Sequence, residues 1–85
     1  MAFTVVITNR AKKDIDTLAP ALKKRLGKKL LQVVTHDDIY SLAKRLVNSD
    51  LGEYRIRVGD YRILCDIDHH NLIILRVQHR KDVYR

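Results

Sequence analysis

The sequence predicts a single α+β domain over residues 1–85. Two N-terminal helices are expected to pack on one face of a small, mostly antiparallel sheet, in the element order β-α-α-β-β-β. A β-branched run opens the chain, two segments with helical spacing of apolar residues follow, and period-two alternation fills the C-terminal half. With 85 residues, 46% apolar and 32% charged, the chain is long enough for one core and too apolar to be disordered.

The first half of the chain is predicted to form one strand and two helices. The β-branched run Phe3–Thr8 predicts the strand, and Asn9 is the expected N-cap of a short helix that ends near Leu18. Pro20 suits the first position of the second helix, where its missing N–H is harmless. Apolar residues then recur at helical spacing to about Val34, which predicts a buried stripe made of Leu22, Leu26, Leu30 and Val33.

Residues 36–53 leave the secondary structure open. His36-Asp37-Asp38 is expected to end the second helix, and residues 41–47 have room for one or two further helical turns. Asn48-Ser49-Asp50 has the composition of a turn.

The segment Tyr54–Cys65 predicts a β-hairpin closed by the two-residue loop Gly59-Asp60. Such a loop fixes the register, so Arg57 is expected to face Arg62 across the two strands. One face of the hairpin carries apolar side chains for the core, and the other gathers the arginines, including Arg55. Because like charges directly opposite each other destabilise a sheet, this arrangement favours a function for the face: binding a polyanion.

A third strand is predicted at residues 72–78, after a turn at Asp68-His69-His70-Asn71. An even loop would place Ile73, Leu75 and Val77 on the arginine side, whereas an odd loop would send them into the core. The adjacent histidines lack further ligands nearby in the sequence and predict turn residues rather than a metal site.

A net charge of +7 and a pI near 9.9 favour an acidic partner, either nucleic acid or an acidic protein. A basic block lies opposite the leucine stripe of the second helix. Such a run is usually a solvated helix face, but here we expect it to contact ribosomal RNA phosphates through counterion release. The block consists of Lys23, Lys24, Arg25, Lys28 and Lys29.

Several other classes of chemistry are not predicted. The sequence has no glycine-rich phosphate loop, serine nucleophile motif or Cys–His pairing, and Asp14 and Asp16 are expected to be isolated surface acids. The lone Cys65 excludes an internal disulfide and is expected to pack in the core. Without an apolar run long enough to span a bilayer and without a signal-peptide pattern, the expected location is the cytoplasm.

The stretch 52–63, together with 79–85, resembles the RelE toxins of bacterial and archaeal toxin–antitoxin pairs. Lys44-Arg45-Leu46 also matches the usual lead-in to the first hairpin strand of that family. The specific match covers the C-terminal half, and the element order agrees throughout. The resemblance implies an mRNA interferase that works in the ribosomal A site without a metal or organic cofactor, and that is neutralised by an acidic RelB-like antitoxin.

The resemblance also implies the site residues. The 2′-hydroxyl of mRNA would attack the adjacent phosphate, with Arg62 and Arg80 stabilising its oxygens. Many relatives carry lysine on the first hairpin strand, whereas arginine stays protonated, so the general base stays open between His79, Tyr84 and no protein group. The implied catalytic set is Arg55, Arg57, Arg62, His79, Arg80 and Tyr84. The expected RNA-binding residues are Lys23, Lys24, Lys28, Lys44 and Arg45.

Two other functions stay open at this point. A ParE-like toxin of the same fold would inhibit DNA gyrase by binding it, and a non-catalytic RNA- or protein-binding domain would need no general base. The retained arginines, with Arg80 and Tyr84 near the C-terminus, favour the nuclease.

Overall fold

The computed structural model describes residues 3–46 and 52–83, which form five strands, three helices and one turn of 3₁₀ helix. In chain order these are β1 (Thr4–Ile7), α1 (Asn9–Asp16), α2 (Pro20–Thr35), the 3₁₀ turn (Ile39–Ser41), β2 (Lys44–Arg45), β3 (Tyr54–Val58), β4 (Tyr61–Asp68), β5 (Asn71–His79) and α3 (Arg80–Val83). No helix within the described residues is long and apolar enough to cross a membrane.

The strands form one sheet in the order β1-β5-β4-β3-β2. Only the β1–β5 pair is parallel, and the other described pairs are antiparallel. The predicted α+β class is therefore confirmed, and the sheet gains β2 from the region that the sequence left open. Two charged residues, Lys44 and Arg45, make up this strand, so it carries no apolar alternation that could have predicted it.

The N-cap of α1 is Thr8, so the prediction of Asn9 was wrong by one residue. The Thr8 Oγ1 accepts a hydrogen bond from the Ala11 backbone N–H at 3.2 Å and donates to the Ile74 carbonyl oxygen at 2.9 Å. One hydroxyl thus satisfies a donor of the helix N-terminus and joins the start of α1 to the sheet. The second helix begins at Pro20, as predicted.

The core lies between the helices and one face of the sheet. The helices contribute the predicted apolar stripe, and the sheet contributes the apolar face of the predicted hairpin. Burial raises the pKa of the Cys65 thiol to about 12, with a further contribution from the charge of Asp66. The prediction that Cys65 packs as a core residue is confirmed. The most deeply buried large side chains in the described chain are Val33, Ile56, Ile63, Leu72 and Ile74.

Strand β5 changes face part-way along its length. The turn before it has two residues, so Leu72 and Ile74 enter the core, and Ile73 points to the arginine side. A register shift follows, in which Leu64 pairs with Arg76 while Cys65 pairs with Ile74, leaving one extra residue in β5. This bulge inverts the alternation and buries Val77. Ile73 thus follows the prediction for an even loop and Val77 that for an odd loop, so neither predicted arrangement holds along the whole of β5.

Asp14 holds the edge of β5 beyond the bulge and is not an isolated surface acid. Its Oδ2 accepts from the Arg76 Nε at 2.8 Å and from the Val77 backbone N–H at 2.9 Å. The side chains of Asp14 and Arg76 are only 14% and 21% exposed. Because β1 pairs with β5 only as far as Ile74, the Asp14 carboxylate occupies the place of a strand neighbour.

We expect Asp14→Asn to lower the free energy of unfolding by about 2–3 kcal/mol at pH 7, because the Arg76 guanidinium and the Val77 N–H would lose an anionic acceptor. Burial alone would raise the pKa of Asp14, but the hydrogen bonds from Arg76 and Val77 and the charges of Arg76 and Arg10 lower it below its usual value. The stabilisation is thus complete above about pH 4 and is lost as the pH falls through the lowered pKa.

Chemical denaturation of the wild type and of Asp14→Asn between pH 2 and pH 7 measures this contribution. The gap between the two proteins should close at the acid end. The control is Asp16→Asn on the exposed side of the same helix, which should change stability by less than about 0.5 kcal/mol. An equal loss in both variants, or a gap independent of pH, would contradict the role of Asp14.

Candidate nucleic-acid interface

The predicted register of the β3–β4 hairpin is confirmed at every position. Gly59 has φ +57°, as a tight primed turn requires, and Arg57 pairs with Arg62 across the strands. Arg55 pairs with Leu64 in the same register. The two arginines of the pair thus project from one face of the hairpin, opposite its apolar face.

Arg80 joins this pair because α3 begins against the hairpin turn. Its backbone N–H donates to the Asp60 carbonyl oxygen at 2.7 Å, and its Nη1 lies 4.0 Å from the Asp60 Oδ1. A cavity of about 120 Å³ is lined by Arg57, Arg62 and Arg80, with Gly59, Asp60 and Tyr61. At about 30 Å³ per water molecule, this volume suits a group of the size of a phosphate. Three guanidinium groups face it, with one carboxylate among the lining residues.

Strand β2 extends the basic face towards the edge of the sheet. Lys44 pairs with Arg55, so the two side chains share a face. Leu64, the other neighbour of Arg55, is only 6% exposed, although it lies outside the main core cluster. The long side chains beside it can shield its apolar atoms while their charged ends stay in water.

Helix α2 supplies the other wall of this surface. Arg57 also lines a cavity of about 380 Å³ with Lys29, Lys44 and Arg55, and one of about 360 Å³ with Arg25, Lys28 and Lys29. The Arg25 guanidinium lies over the hairpin turn, since a Cβ on Gly59 would sit 3.2 Å from its Nη2. We name the resulting surface the basic groove; it comprises Arg25, Lys28, Lys29, Lys44, Arg55, Arg57, Arg62 and Arg80.

The groove contains some of the expected RNA-binding residues and not others. Lys28 and Lys44 line it, whereas Lys23 and Lys24 are exposed on α2 and are not among the lining residues of its three cavities. Arg45 pairs with Tyr54 and therefore belongs to the helix side of the sheet. The sequence carries no signal that selects some cations of α2 over others, because the selection depends on how α2 crosses β3.

Arg25 and Lys29 were expected to contact RNA as members of the basic block of α2, but they were not among the individual site residues. Both belong to the basic block of α2, so the sequence indicated their charge but not their position. Lys29 is half-buried and lines two of the groove's cavities.

His79 lies apart from the arginine cluster. It pairs with Tyr61 across β4 and β5, with ring centroids 5.1 Å apart and ring planes at 88°. Its Nδ1 accepts a hydrogen bond from the Lys81 backbone N–H at 3.2 Å, so His79 stabilises the start of α3, which carries Arg80. Tyr84 and Arg85 lie outside the described residues.

The sequence profile of the ParE toxins of type II toxin–antitoxin (parDE) systems matches residues 5–84. The chain belongs to the RelE/ParE toxin superfamily. Toxin RelG of Mycobacterium tuberculosis is 32% identical over 87 residues, covering 100% of this chain and 99% of RelG. Toxin RelE3 of Methanocaldococcus jannaschii is 52% identical over 31 residues, which is 36% of this chain.

Solved structures agree with this assignment. The RelBE2 toxin–antitoxin complex of Mycobacterium tuberculosis matches with a TM-score of 0.75 and 29% identity, covering 94% of this toxin and 100% of the matched chain. A mutant of Escherichia coli toxin RelE in the free state matches with a TM-score of 0.75 and 22% identity, covering 99% of this toxin and 92% of that chain, which supports the fold. The predicted resemblance to RelE toxins is confirmed, and the protein is a toxin of the RelBE type.

We expect Lys29→Gln and Arg57→Gln each to reduce the salt dependence of binding to a short single-stranded RNA. For single strands, each lost phosphate contact should lower the slope of log K against log salt concentration by about 0.7. Fluorescence anisotropy of a labelled RNA across a salt series measures this slope.

The matched control is Lys24→Gln, which removes the same charge from the same helix outside the cavities of the groove. It should leave the slope close to that of the wild type. If Lys24→Gln lowers the slope as much as Lys29→Gln does, the interaction depends on net charge and not on the groove.

Proposed function

We propose that this toxin is a ribosome-dependent endoribonuclease that cuts mRNA in the ribosomal A site and so inhibits translation. The observation that carries the proposal is the cavity lined by Arg57, Arg62 and Arg80, which concentrates three guanidinium groups in a space suited to one phosphate. Like charges directly opposite each other on a sheet repel, and a phosphate bound between Arg57 and Arg62 would reduce the repulsion between these two side chains.

In the proposed reaction, the 2′-oxygen of one nucleotide forms a bond to the adjacent phosphorus while the bond to the 5′-oxygen of the next nucleotide breaks. The products are a 2′,3′-cyclic phosphate and a 5′-hydroxyl. Negative charge grows on the non-bridging oxygens as the reaction proceeds, and guanidinium groups stabilise it with paired hydrogen bonds. Arg62 and Arg80 take this role, and Arg57 and Arg55 hold the phosphates of the strand.

Arginine does not accept the proton of the 2′-hydroxyl, so in this proposal solvent water takes up that proton as the new O–P bond forms, and water or Tyr84 gives a proton to the leaving 5′-oxygen. In this proposal the ribosome fixes the 2′-hydroxyl in line with the phosphate, which supplies much of the rate acceleration. His79 contributes by holding the start of α3, because its Nδ1 is engaged by the Lys81 N–H. Tyr84 remains the candidate for stacking on a base or for donating a proton to the leaving oxygen.

The proposed partner outside the ribosome is an acidic RelB-like antitoxin. Structures similar to this chain include complexes of RelE with RelB, such as RelBE2 of Mycobacterium tuberculosis and RelB-RelE of Methanococcus jannaschii. The net charge of +7 and the basic groove favour fast association with an acidic segment. The antitoxin can act by covering the groove or by adding bulk that prevents entry into the A site.

A second candidate function, inhibition of DNA gyrase by binding, is favoured by the match to the ParE profile over residues 5–84. That function needs no cluster of cations around a phosphate-sized cavity. We therefore rank it below the nuclease, and the two are separated by assaying supercoiling by gyrase and mRNA cleavage with the same protein preparation.

We expect Arg62→Ala to lower the rate of mRNA cleavage on ribosomes by about 100- to 1,000-fold, because it removes transition-state stabilisation. Primer extension on translated mRNA, with and without ribosomes, measures the rate. The control is Arg10→Ala, an exposed arginine of α1 outside the groove, which should cleave like the wild type.

Circular dichroism of both variants separates the loss of activity from a loss of folding. If the wild-type toxin inhibits supercoiling by gyrase and makes no cut in mRNA, inhibition of gyrase would replace mRNA cleavage as the proposed function. Undiminished cleavage by folded Arg62→Ala would contradict the role given to this arginine.

Substitutions at Tyr84 separate its two candidate roles. Tyr84→Phe keeps the ring and removes the hydroxyl, so a large loss of cleavage in Tyr84→Ala with a small loss in Tyr84→Phe would indicate stacking. Equal large losses would indicate that the hydroxyl takes part in the reaction. If a chain lacking Tyr84 and Arg85 cleaves mRNA at the wild-type rate, neither role applies.

A further inference from the structure

Outside the three cavities of the basic groove, a cavity of about 250 Å³ lies beside β5 and has no part in the phosphate chemistry. We call it the second cavity, the first being the one lined by the arginine cluster. The second cavity is lined by Asp14 of α1, by Thr17 and Leu18 just after that helix, by Tyr61, and by residues 76–79 of β5. It forms where β1 has stopped pairing with β5 and α1 takes over the edge of the sheet. Its volume equals about eight water molecules, which is room for a planar ring system.

Tyr61 connects this cavity to the arginine cluster, because it is a lining residue of both. A nucleotide consists of a phosphate and a flat base separated by one sugar. The arginine cluster offers a strongly cationic space, and the second cavity offers two rings, aliphatic groups and hydrogen-bonding groups. Because Tyr61 lines both, the two cavities are adjacent, which is what one nucleotide needs in order to place its phosphate in one and its base in the other.

The chemistry of the second cavity suits a base rather than another phosphate. The charges of Asp14 and Arg76 are paired with each other at 2.8 Å, so they present little net charge to a ligand. Gln78 supplies both a donor and an acceptor. Because the His79 Nδ1 accepts from the Lys81 N–H, the neutral ring carries its proton on Nε2 and offers a donor. Aromatic rings combined with hydrogen-bonding side chains are how proteins recognise unstacked RNA bases.

We propose that this cavity is a nucleobase subsite, which binds the base of a nucleotide whose phosphate lies in the arginine cluster. Tyr61 and Leu18 provide the apolar contact, and Gln78 and His79 select among bases through hydrogen bonds. The proposal rests on the proposed function for its role in cleavage, where the subsite sets the sequence preference beside the cut. Binding of a nucleotide itself requires no ribosome and is testable separately.

The direct test is an NMR titration of the full chain with inorganic phosphate and, separately, with each of the four ribonucleoside 5′-monophosphates. The backbone signal of Gly59 reports on the arginine cluster, and that of Leu18 reports on the second cavity. Phosphate should shift Gly59 alone, whereas the nucleotides should shift both, to different extents for different bases. A Leu18 signal that no nucleotide shifts would overturn the subsite, whatever Gly59 does and whatever the outcome of the ribosome assays.

The test of selectivity compares cleavage patterns on ribosomes for Gln78→Met and Lys12→Met. Both variants replace a long polar side chain with an apolar one, but Lys12 is exposed on α1 and is not a lining residue of either cavity. Gln78→Met should reduce the ratio of cleavage between the most and the least favoured base at one position beside the cut by roughly three- to tenfold, the worth of one hydrogen bond. Lys12→Met should leave that ratio unchanged. A ratio unaffected by Gln78→Met, or changed equally by both variants, would overturn the selection by Gln78.

Discussion

The two-residue turn at Gly59-Asp60 is the constraint on which the rest of the interface depends. Its left-handed glycine sets the register of β3 and β4, and a slip by one residue would turn every side chain to the opposite face. That register places Arg57 against Arg62. The same turn supplies the Asp60 carbonyl that fixes the start of α3, and the open side of Gly59 leaves space for the Arg25 guanidinium. Strands β3 and β4, helix α3 and helix α2 are thus all positioned against this one turn.

The C-terminal part of β5, which pairs with β4 beside the hairpin turn, is fixed by a bulge and by a contact with α1. The bulge after Ile74 inverts the alternation so that Val77 reaches the core, and Asp14 replaces the missing strand neighbour. Without the bulge, the end of β5 would carry its apolar residues to the arginine side. The sheet therefore keeps one apolar face along its length while the basic face and the second cavity lie on either side of Tyr61.

Features set by local sequence were predictable, and those set by tertiary contacts were not. The hairpin register, Pro20 as the first residue of α2 and the buried Cys65 followed from turn chemistry and alternation. The strand β2 has two residues, and the bulge in β5 depends on contacts of β5 with β4 and α1, so neither leaves a periodic signal. The position of the hairpin arginines on one face was also predictable, because it follows from the register that the turn sets. Only the crossing of α2 over β3 selects Arg25 and Lys29 over Lys23 and Lys24.

In the proposed function, Arg57 and Arg62 repel each other across the hairpin and together bind one phosphate. A double-mutant cycle with Arg57→Gln, Arg62→Gln and the double variant tests this arrangement, with the free energy of unfolding and the affinity for single-stranded RNA measured on all four proteins. We expect a repulsive coupling of about 0.2–1 kcal/mol in stability, which shrinks as salt is added, and a loss of RNA affinity in each single variant. A coupling that is zero or attractive, with RNA affinity unchanged, would show that the pair is not a phosphate site.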